Sequence, residues 1–184
     1  MKKSEKFKLT ENEKKVLKQI INEGRVSDTD MADDMTISQQ AVYQIRKRLE
    51  DAGIIKGYSA IIDFKKIGVN IFTFVGIDIR PKYWDRFKES EISNKLKKLP
   101  CIYGLFRTPA SDISYILTFG FKDMLESDRF MKHVETLLAD GINIVWSYQL
   151  SVDNIIKHDG LNLIYHSLEG NFDKVKKVLK EFSD

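Results

Sequence analysis

The segment from Ser38 to Gly53 limits the possible folds of this chain more than any other part of the sequence. Apolar side chains recur there at the three- and four-residue spacing of a single helix face: Val42, Ile45, Leu49 and Ala52. Such spacing is typical of an amphipathic helix that packs one stripe against a core. Ser38 is suited to cap the first turn, and Gly53 can adopt the left-handed conformation that follows many helix ends. The segment therefore predicts a helix with defined ends.

The opposite face of this predicted helix is polar and cationic. Its side chains are spaced by three, four and seven residues, which places them in one continuous stripe: Gln40, Tyr43, Gln44 and Lys47. Glutamine can form paired hydrogen bonds with adenine, and lysine can reach guanine or a phosphate. Glutamine and lysine are also common on solvated helix faces, so the stripe alone leaves both interpretations open.

Two further helices are predicted upstream of this one. Thr10 and Glu13 have the spacing of a capping box, and the residues after them form one apolar face: Val16, Leu17, Ile20 and Ile21. Ser27 is placed to start a second, short helix, and Thr36-Ile37 makes a tight connection to the third. Three helices with a compact turn between the second and third predict a helix-turn-helix core.

The hydrophobic pattern changes period after Gly53. Residues 55–63 are predicted to form an exit strand, so we assign residues 1–62 to an N-terminal, winged helix-turn-helix domain. Further strands are predicted from alternation and β-branched content at 71–79, 101–108, 114–121 and 143–152, with helices at 83–99 and 124–139. This β-α-β-β-α-β order predicts a ferredoxin-like domain, which we assign to residues 63–155.

Residues 156–184 form a C-terminal extension of different character. Residues 161–165 could form a short strand, and residues 172–182 have the pattern of a lysine-rich amphipathic helix. We expect that helix to dock its apolar stripe and to leave its lysines in water. The predicted fold class is therefore α+β. Its sheet would be covered by helices on one face, and its other face would be free to meet a second copy of the chain.

Composition excludes several classes of protein and leaves DNA binding open. The net charge is only +3, but Arg46, Lys47 and Arg48 cluster on the third predicted helix, where phosphate contact would need them. The single cysteine, Cys101, excludes an intramolecular disulfide and is typical of a reducing cytoplasm. No apolar run reaches the roughly 18 residues of a membrane span, and the first residues lack the apolar stretch of a secretory signal. We therefore expect a cytoplasmic protein with no membrane partner.

An ordered set of motifs in this chain resembles the Lrp/AsnC (feast/famine) transcriptional regulators. The matching residues are, in order, Ser38, Val42, Arg48-Leu49-Glu50, Gly53, Ile55, Gly57-Tyr58, Pro100 and Asp112. The resemblance covers about residues 9–155 and is more specific than a helix-turn-helix alone. It implies a homodimer paired through the ferredoxin-like domains, often assembled as a tetramer of dimers. Such an assembly binds double-stranded DNA and responds to a small effector, often an amino acid.

The same resemblance implies the site residues. The DNA-facing candidates are Ser38, Gln39, Gln40, Tyr43, Gln44 and Lys47, with Arg46 and Arg48 as phosphate or flank contacts. The effector candidates are Thr108, Ser111 and Asp112. Asp112 is at least as well explained as a turn residue that caps its own backbone. Pro109 stands where the family often has glycine, and proline lacks the backbone donor that could hold a free amino acid.

Two other functions fit parts of the sequence. Proteins similar to siroheme decarboxylases use the same two-domain arrangement, and such an enzyme would need histidine near its metal. The histidines here are isolated from one another and from other ligand residues: His133, His158 and His166. A ligand-sensing module without DNA binding would need only the predicted sheet domain. We expect a non-enzymatic regulator with no catalytic residue, no metal and no cofactor.

Overall fold

The computed structural model describes residues 7–109, 112–157, 160–169 and 173–181. The helices are α1 Glu11–Asn22, α2 Asp28–Met35, α3 Gln39–Asp51, α4 Pro81–Arg86, α5 Glu89–Leu96, α6 Met124–Leu138, α7 Leu161–Glu169 and α8 Asp173–Lys180. The strands are β1 Ile71–Ile79, β2 Ile102–Arg107, β3 Tyr115–Phe121 and β4 Ile142–Ser151. The chain divides into two compact units, one within Met1–Ile61 and His158–Asp184 and the other within Ile62–Lys157.

The three N-terminal helices begin at the residues that the sequence predicts. Thr10 and Glu13 form the capping box, with the Thr10 N–H 2.7 Å from Glu13 Oε2. Ser27 Oγ accepts a hydrogen bond from the Asp30 N–H at 3.0 Å, and Ser38 Oγ accepts one from the Ala41 N–H at 3.1 Å. These side chains satisfy backbone donors that a helix start leaves without partners.

The turn between α2 and α3 is short because Thr36 adopts a left-handed conformation, with φ 56°. The Ile37 N–H then reaches back to the carbonyl of Ala32 at 3.1 Å. This reversal brings α3 directly after α2, as the predicted compact connection requires. The helix-turn-helix core is therefore present in the structure.

One apolar core holds α1, α2 and α3 together. Its buried members are Val16, Leu17, Ile20, Met31, Ala32, Val42 and Leu49. Ala52 was expected in this core and is exposed instead. The chain turns at Gly53, which has φ 67°, so Ile54 and Ile55 pack against that part of the core.

The predicted exit strand is wrong: residues 55–63 carry no strand assignment. A strand is held by hydrogen bonds to a neighbouring strand, and the described part of this chain places none beside these residues. Ile61 is 91% exposed as a result. We call residues 56–61 the exit segment.

The C-terminal extension belongs to the same unit as the helix-turn-helix. The short strand predicted at 161–165 is wrong, because α7 occupies Leu161–Glu169. Leu168 packs against the helix-turn-helix core, and Tyr165 Oη donates a hydrogen bond to Asn22 Oδ1 at 2.7 Å. These contacts with α1 and the core stabilise α7 as a helix, whereas a short strand here would have no neighbouring strand to pair with.

The second unit contains a four-stranded antiparallel sheet in the order β2-β3-β1-β4. This is the order of the predicted ferredoxin-like domain. The two inner strands, β1 and β3, supply most of the buried apolar side chains of this unit, including Val75, Ile77, Leu117 and Phe119.

The helix predicted at 83–99 is two helices in the structure, α4 and α5. Phe87 lies between them in an extended conformation, with φ −129° and ψ 137°. The break lets Phe87 pack against the sheet core beside Tyr83, with 5.5 Å between ring centroids. α5 then restarts with the Lys88 N–H donating to Glu91 Oε2 at 2.7 Å.

Candidate nucleic-acid interface

The polar stripe predicted on α3 is exposed along its whole length. Gln40, Tyr43, Gln44 and Lys47 all face water, and Gln39 beside them does too. None of these side chains makes a hydrogen bond or an ion pair with another described residue. Tyr43 leaves 46% of its surface accessible. The stripe can therefore meet a partner without breaking internal contacts.

The remaining member of the predicted set, Ser38, has a structural task as well. Its hydroxyl oxygen caps α3, and the residue is exposed at the start of that helix. The hydroxyl hydrogen is still available to donate. Backbone N–H groups and polar side chains at a helix start are a frequent phosphate contact.

Arg46, which was expected as a phosphate or flank contact, is engaged by residues of its own unit. The residue is only partly exposed, and its Nη2 is 2.6 Å from Asp28 Oδ1 and donates to the carbonyl of Val26 at 3.1 Å. Nη1 donates to Tyr58 Oη at 3.4 Å, and the guanidinium lies over the Tyr58 ring, 5.8 Å from its centroid. Burial alone would lower the pKa of Arg46, but its contacts with Tyr58 and Asp28 outweigh burial and raise that pKa.

Arg48 is also tied to its own unit, although it stays accessible. Its Nη1 is 3.1 Å from Oε1 of Glu13, the α1 capping residue, whose side chain is only 2% exposed. Its guanidinium also lies 5.4 Å from the Phe7 ring centroid. More than half of the Arg48 side chain remains exposed, so a phosphate could still reach it.

The candidate effector turn joins β2 to β3. The Thr108 N–H donates to the Ser114 carbonyl at 3.2 Å, and the Thr108 hydroxyl donates to the Ile113 carbonyl. Asp112 is exposed on the turn, and Ser111 lies outside the described residues. The side chain of Thr108 is therefore engaged within the turn, and Asp112 remains accessible.

Arg107 supports the same turn from the end of β2. Its Nη1 donates to the Ser114 carbonyl at 2.8 Å, and its Nε is 3.0 Å from Glu89 Oε1. The guanidinium lies between Trp84 and Tyr115, at 5.4 and 5.3 Å from their ring centroids. This role of Arg107 is not predicted by the sequence pattern.

The histidines considered for a metal are not brought into a ligand set. His133 is exposed on α6, where its Nδ1 is 2.8 Å from the Arg129 carbonyl. His166 lies on α7 of the other unit, and His158 is outside the described residues. No group of three or more metal-ligating side chains occurs within the described ranges. Within the same ranges, no helix is long and apolar enough to cross a bilayer.

Four residues hold α3 in place through contacts that the sequence pattern does not predict: Glu13, Asp28, Glu50 and Tyr58. Tyr58 Oη donates to Glu50 Oε1 at 2.8 Å while it accepts from Arg46. The Gly57-Tyr58 motif marked the tyrosine, but its partners lie eight and twelve residues away in sequence. Burial and the hydrogen bond to Glu50 raise the pKa of Tyr58, so its hydroxyl stays protonated at neutral pH.

Comparison with known proteins agrees with the geometry of the N-terminal helices. A family model described as winged helix-turn-helix DNA-binding matches residues 9–56. The HTH-type transcriptional regulator LrpA of Pyrococcus horikoshii is 34% identical over 98 residues, which cover 53% of this chain and 66% of that protein. The residues that the family model matches include all of α1, α2 and α3.

Solved structures show the same fold. The transcriptional regulator NMB0573 of Neisseria meningitidis, solved as an L-Met complex, is similar with a TM-score of 0.68 and 24% identity. The match covers 82% of this chain and 94% of that one. Escherichia coli AsnC is similar with a TM-score of 0.65 and 16% identity, over 83% of this chain and 98% of that one. Nearly all of each neighbour is matched, so part of this chain has no counterpart in them.

Proposed function

Because this chain belongs to the Lrp/AsnC family of transcriptional regulators, we propose that it reads DNA sequence through the exposed stripe of α3. The protein is a helix-turn-helix regulator of transcription with double-stranded DNA as its partner. The reading residues are Gln39, Gln40, Tyr43, Gln44 and Lys47, with Ser38 at the helix start. Of the two arginines on α3, Arg48 is the one that stays accessible, and we propose it as the phosphate contact.

The observation that carries this proposal is the freedom of the stripe. Its side chains are exposed and make no internal hydrogen bonds within the described residues, while the rest of α3 is anchored by Val42 and Leu49. A major groove accepts one α-helix, and amide and ammonium groups on its outer face can reach base edges and phosphates. A rigid helix with an unengaged polar face suits that task.

We propose a homodimer as the binding unit, with a tetramer of dimers as the larger assembly. The sheet face opposite the helices exposes aromatic surface: Phe106 is 60% and Tyr148 is 68% accessible. Trp146 lies on the same face, directly over Gly76. Exposed aromatic side chains grouped on one face are typical of protein interfaces. A dimer would place two α3 helices on half-sites separated by whole turns of DNA.

We propose a small effector, such as an amino acid, at the turn that contains Thr108 and Asp112. The exposed Asp112 carboxylate could hold an ammonium group, which supports this choice. Thermal unfolding of the protein in the presence of each common amino acid tests it. A ligand that binds only the folded state raises the transition temperature, and no shift with any of them would refute the amino-acid assignment.

We further propose that the chain has no enzymatic activity and acts in the cytoplasm. Its relatives are named as transcriptional regulators. A visible Soret absorption band in the purified protein would contradict this and favour a tetrapyrrole enzyme. Fractionation of cells with an antibody against the chain tests the location.

Selection from a random duplex library followed by fluorescence anisotropy tests the DNA-reading proposal. The affinities for the enriched duplex and for a random duplex are compared at two salt concentrations. Phosphate contacts weaken with salt, whereas base contacts determine the ratio of the two affinities. Gln44→Ala should reduce that ratio by about tenfold, or about 1.4 kcal/mol, which lies within the roughly 1–3 kcal/mol of one good base contact. Lys132→Ala serves as the control, because Lys132 is exposed on α6 in the second unit. No enrichment, even at low salt, would favour a ligand sensor that does not bind DNA.

A further inference from the structure

One guanidinium connects three separate parts of the helix-turn-helix unit. We propose that Arg46, together with Tyr58, positions α3 for DNA recognition and does not itself contact DNA. This inference rests on DNA reading by α3, and it adds two positioning residues that lie outside the reading stripe. We refer to Val26, Asp28, Arg46, Glu50 and Tyr58 as the Arg46 cluster.

The first connection runs from α3 to α2. Arg46 Nη2 is 2.6 Å from Asp28 Oδ1, and Asp28 is the first residue of α2. The same nitrogen donates to the Val26 carbonyl at 3.1 Å, just before that helix. About four-fifths of each side chain is buried, so the pair is screened less than a surface ion pair. The start of α2 is thereby fixed against the middle of α3.

The second connection runs from α3 to the exit segment. Tyr58 Oη donates to Glu50 Oε1 at 2.8 Å and accepts from Arg46 Nη1 at 3.4 Å. Its ring also lies beneath the guanidinium, at 5.8 Å. Glu50 and Arg46 are four residues apart, so Tyr58 spans one turn of α3. Tyr58 therefore fixes the exit segment against that turn of α3.

Burial makes the loss of this cluster expensive. Asp28 Oδ1 is buried and accepts no hydrogen bond from the described residues, so its ion pair with Arg46 Nη2 is what offsets its burial. A buried carboxylate whose partner is removed retains its full desolvation cost. If α3 turned to bring the Arg46 guanidinium to a phosphate, that cost would be incurred. The exposed residue Lys47, which makes no ion pair with another described residue, can reach phosphate without such a cost.

Positioning and phosphate contact predict different responses to the same substitutions. If Arg46 contacts a phosphate, lysine should replace it well, and a neutral residue should reduce the salt slope of log K by about one. If Arg46 positions α3, lysine should fail, because it lacks the planar fork that reaches Asp28, Val26 and Tyr58 together. The salt slope should then stay unchanged in every variant.

The experiment measures the affinity of the full chain for the duplex enriched by the unaltered protein, as a function of salt. We expect Arg46→Lys and Arg46→Gln to weaken binding equally, by about tenfold, with unchanged slopes, as one or two lost hydrogen bonds imply. We expect Tyr58→Phe, which removes no charge, to weaken binding to the enriched duplex about threefold. We also expect it to lower the ratio of the affinity for the enriched duplex to that for a random duplex. This follows because apparent affinity scales with the fraction of molecules in the competent arrangement.

Matched controls separate positioning from general stability. Tyr83→Phe removes a hydroxyl in the second unit that makes no hydrogen bond to the described residues, and it should leave both duplex affinities unchanged. All measurements are made well below each variant's unfolding transition, where a merely stabilising role would not alter affinity. If an Arg46 variant does not fold, Tyr58→Phe decides the question alone.

The outcomes are distinct. Binding by Arg46→Lys that equals the unaltered protein, or a salt slope reduced by about one in Arg46→Gln, would overturn the proposal in favour of a phosphate contact. Unchanged affinity and unchanged duplex ratio in Tyr58→Phe would also overturn it. Failure of the unaltered protein to enrich any duplex would instead refute DNA reading by α3, which is a separate result.

Discussion

Glu13 gives the sharpest stability prediction, because one buried carboxylate serves two helices. Its Oε2 accepts from the Thr10 N–H at 2.7 Å and the Thr10 hydroxyl at 3.0 Å, while its Oε1 is 3.1 Å from Arg48 of α3. Loss of a capping interaction costs about 1 kcal/mol, and loss of a hydrogen bond to a charged partner costs about 1.5 kcal/mol. We therefore expect Glu13→Ala to destabilise the helix-turn-helix unit by about 2–3 kcal/mol.

The position of the tryptophans makes the assay selective. Both tryptophans, Trp84 and Trp146, lie in the second unit, so tryptophan fluorescence reports that unit, whereas far-ultraviolet circular dichroism also follows the helices of the first. In urea, Glu13→Ala should move the circular-dichroism transition to lower denaturant and leave the fluorescence transition in place. In thermal unfolding, the shift should be about 10 °C for a domain of this size.

Glu11 supplies the matched control. It lies in the same first turn of α1 but is exposed, and its carboxylate forms an ion pair with Lys14 at 2.7 Å. Glu11→Ala therefore changes the same charge near the helix start without removing the cap or the contact with α3. If Glu11→Ala and Glu13→Ala shifted the transition equally, the capping and Arg48 contacts would contribute nothing, and the reasoning would be refuted.

Three further predictions concern other parts of the chain. Leu168→Ala should lower the free energy of unfolding of the helix-turn-helix unit, followed by circular dichroism, by about 1–2 kcal/mol. A partly buried leucine leaves a smaller cavity than a fully buried one, so the cost is a fraction of the usual value. An unchanged transition would mean that α7 does not dock on α1. Burial raises the pKa of the Cys101 thiol, so its alkylation by iodoacetamide should be slower than that of glutathione at pH 8. Its rate should still be rising at the pH at which the rate for glutathione has levelled, and equal pH profiles would contradict the burial. Gly76→Ala should destabilise the second unit by about 1–3 kcal/mol and change the tryptophan emission, because the new Cβ would lie 2.4 Å from Trp146 Cε2; unchanged emission would contradict that packing.

The local features of both units could be predicted from the sequence. Helix caps at Thr10, Ser27 and Ser38 depend on side chains within three residues of the donors they satisfy. The order of strands and helices in the second unit follows from periodicity, since a strand and a helix place apolar residues at different spacings. The exposed stripe of α3 follows from the same spacing once its opposite face is buried.

Several features depended on contacts that sequence spacing does not encode. The predicted helix at 83–99 breaks at Phe87 because the sheet core accepts that ring, and spacing alone favours continuing the helix. The exit strand is absent because a strand needs a partner, which no local pattern supplies. Residues 161–165 are helical because α7 packs against α1, which lies more than a hundred residues earlier in the chain.

The two arginines of the candidate site, Arg46 and Arg48, also depend partly on sequence spacing and partly on tertiary contacts. The sequence by itself determined that α3 carries Arg46, Lys47 and Arg48, because helical periodicity fixes which residues share an element. Only the tertiary structure decided that Arg46 binds Asp28 and Tyr58 while Lys47 faces water. Adjacent residues on a helix point about 100° apart, so the neighbouring elements decide which side chain is buried and which remains free to meet DNA.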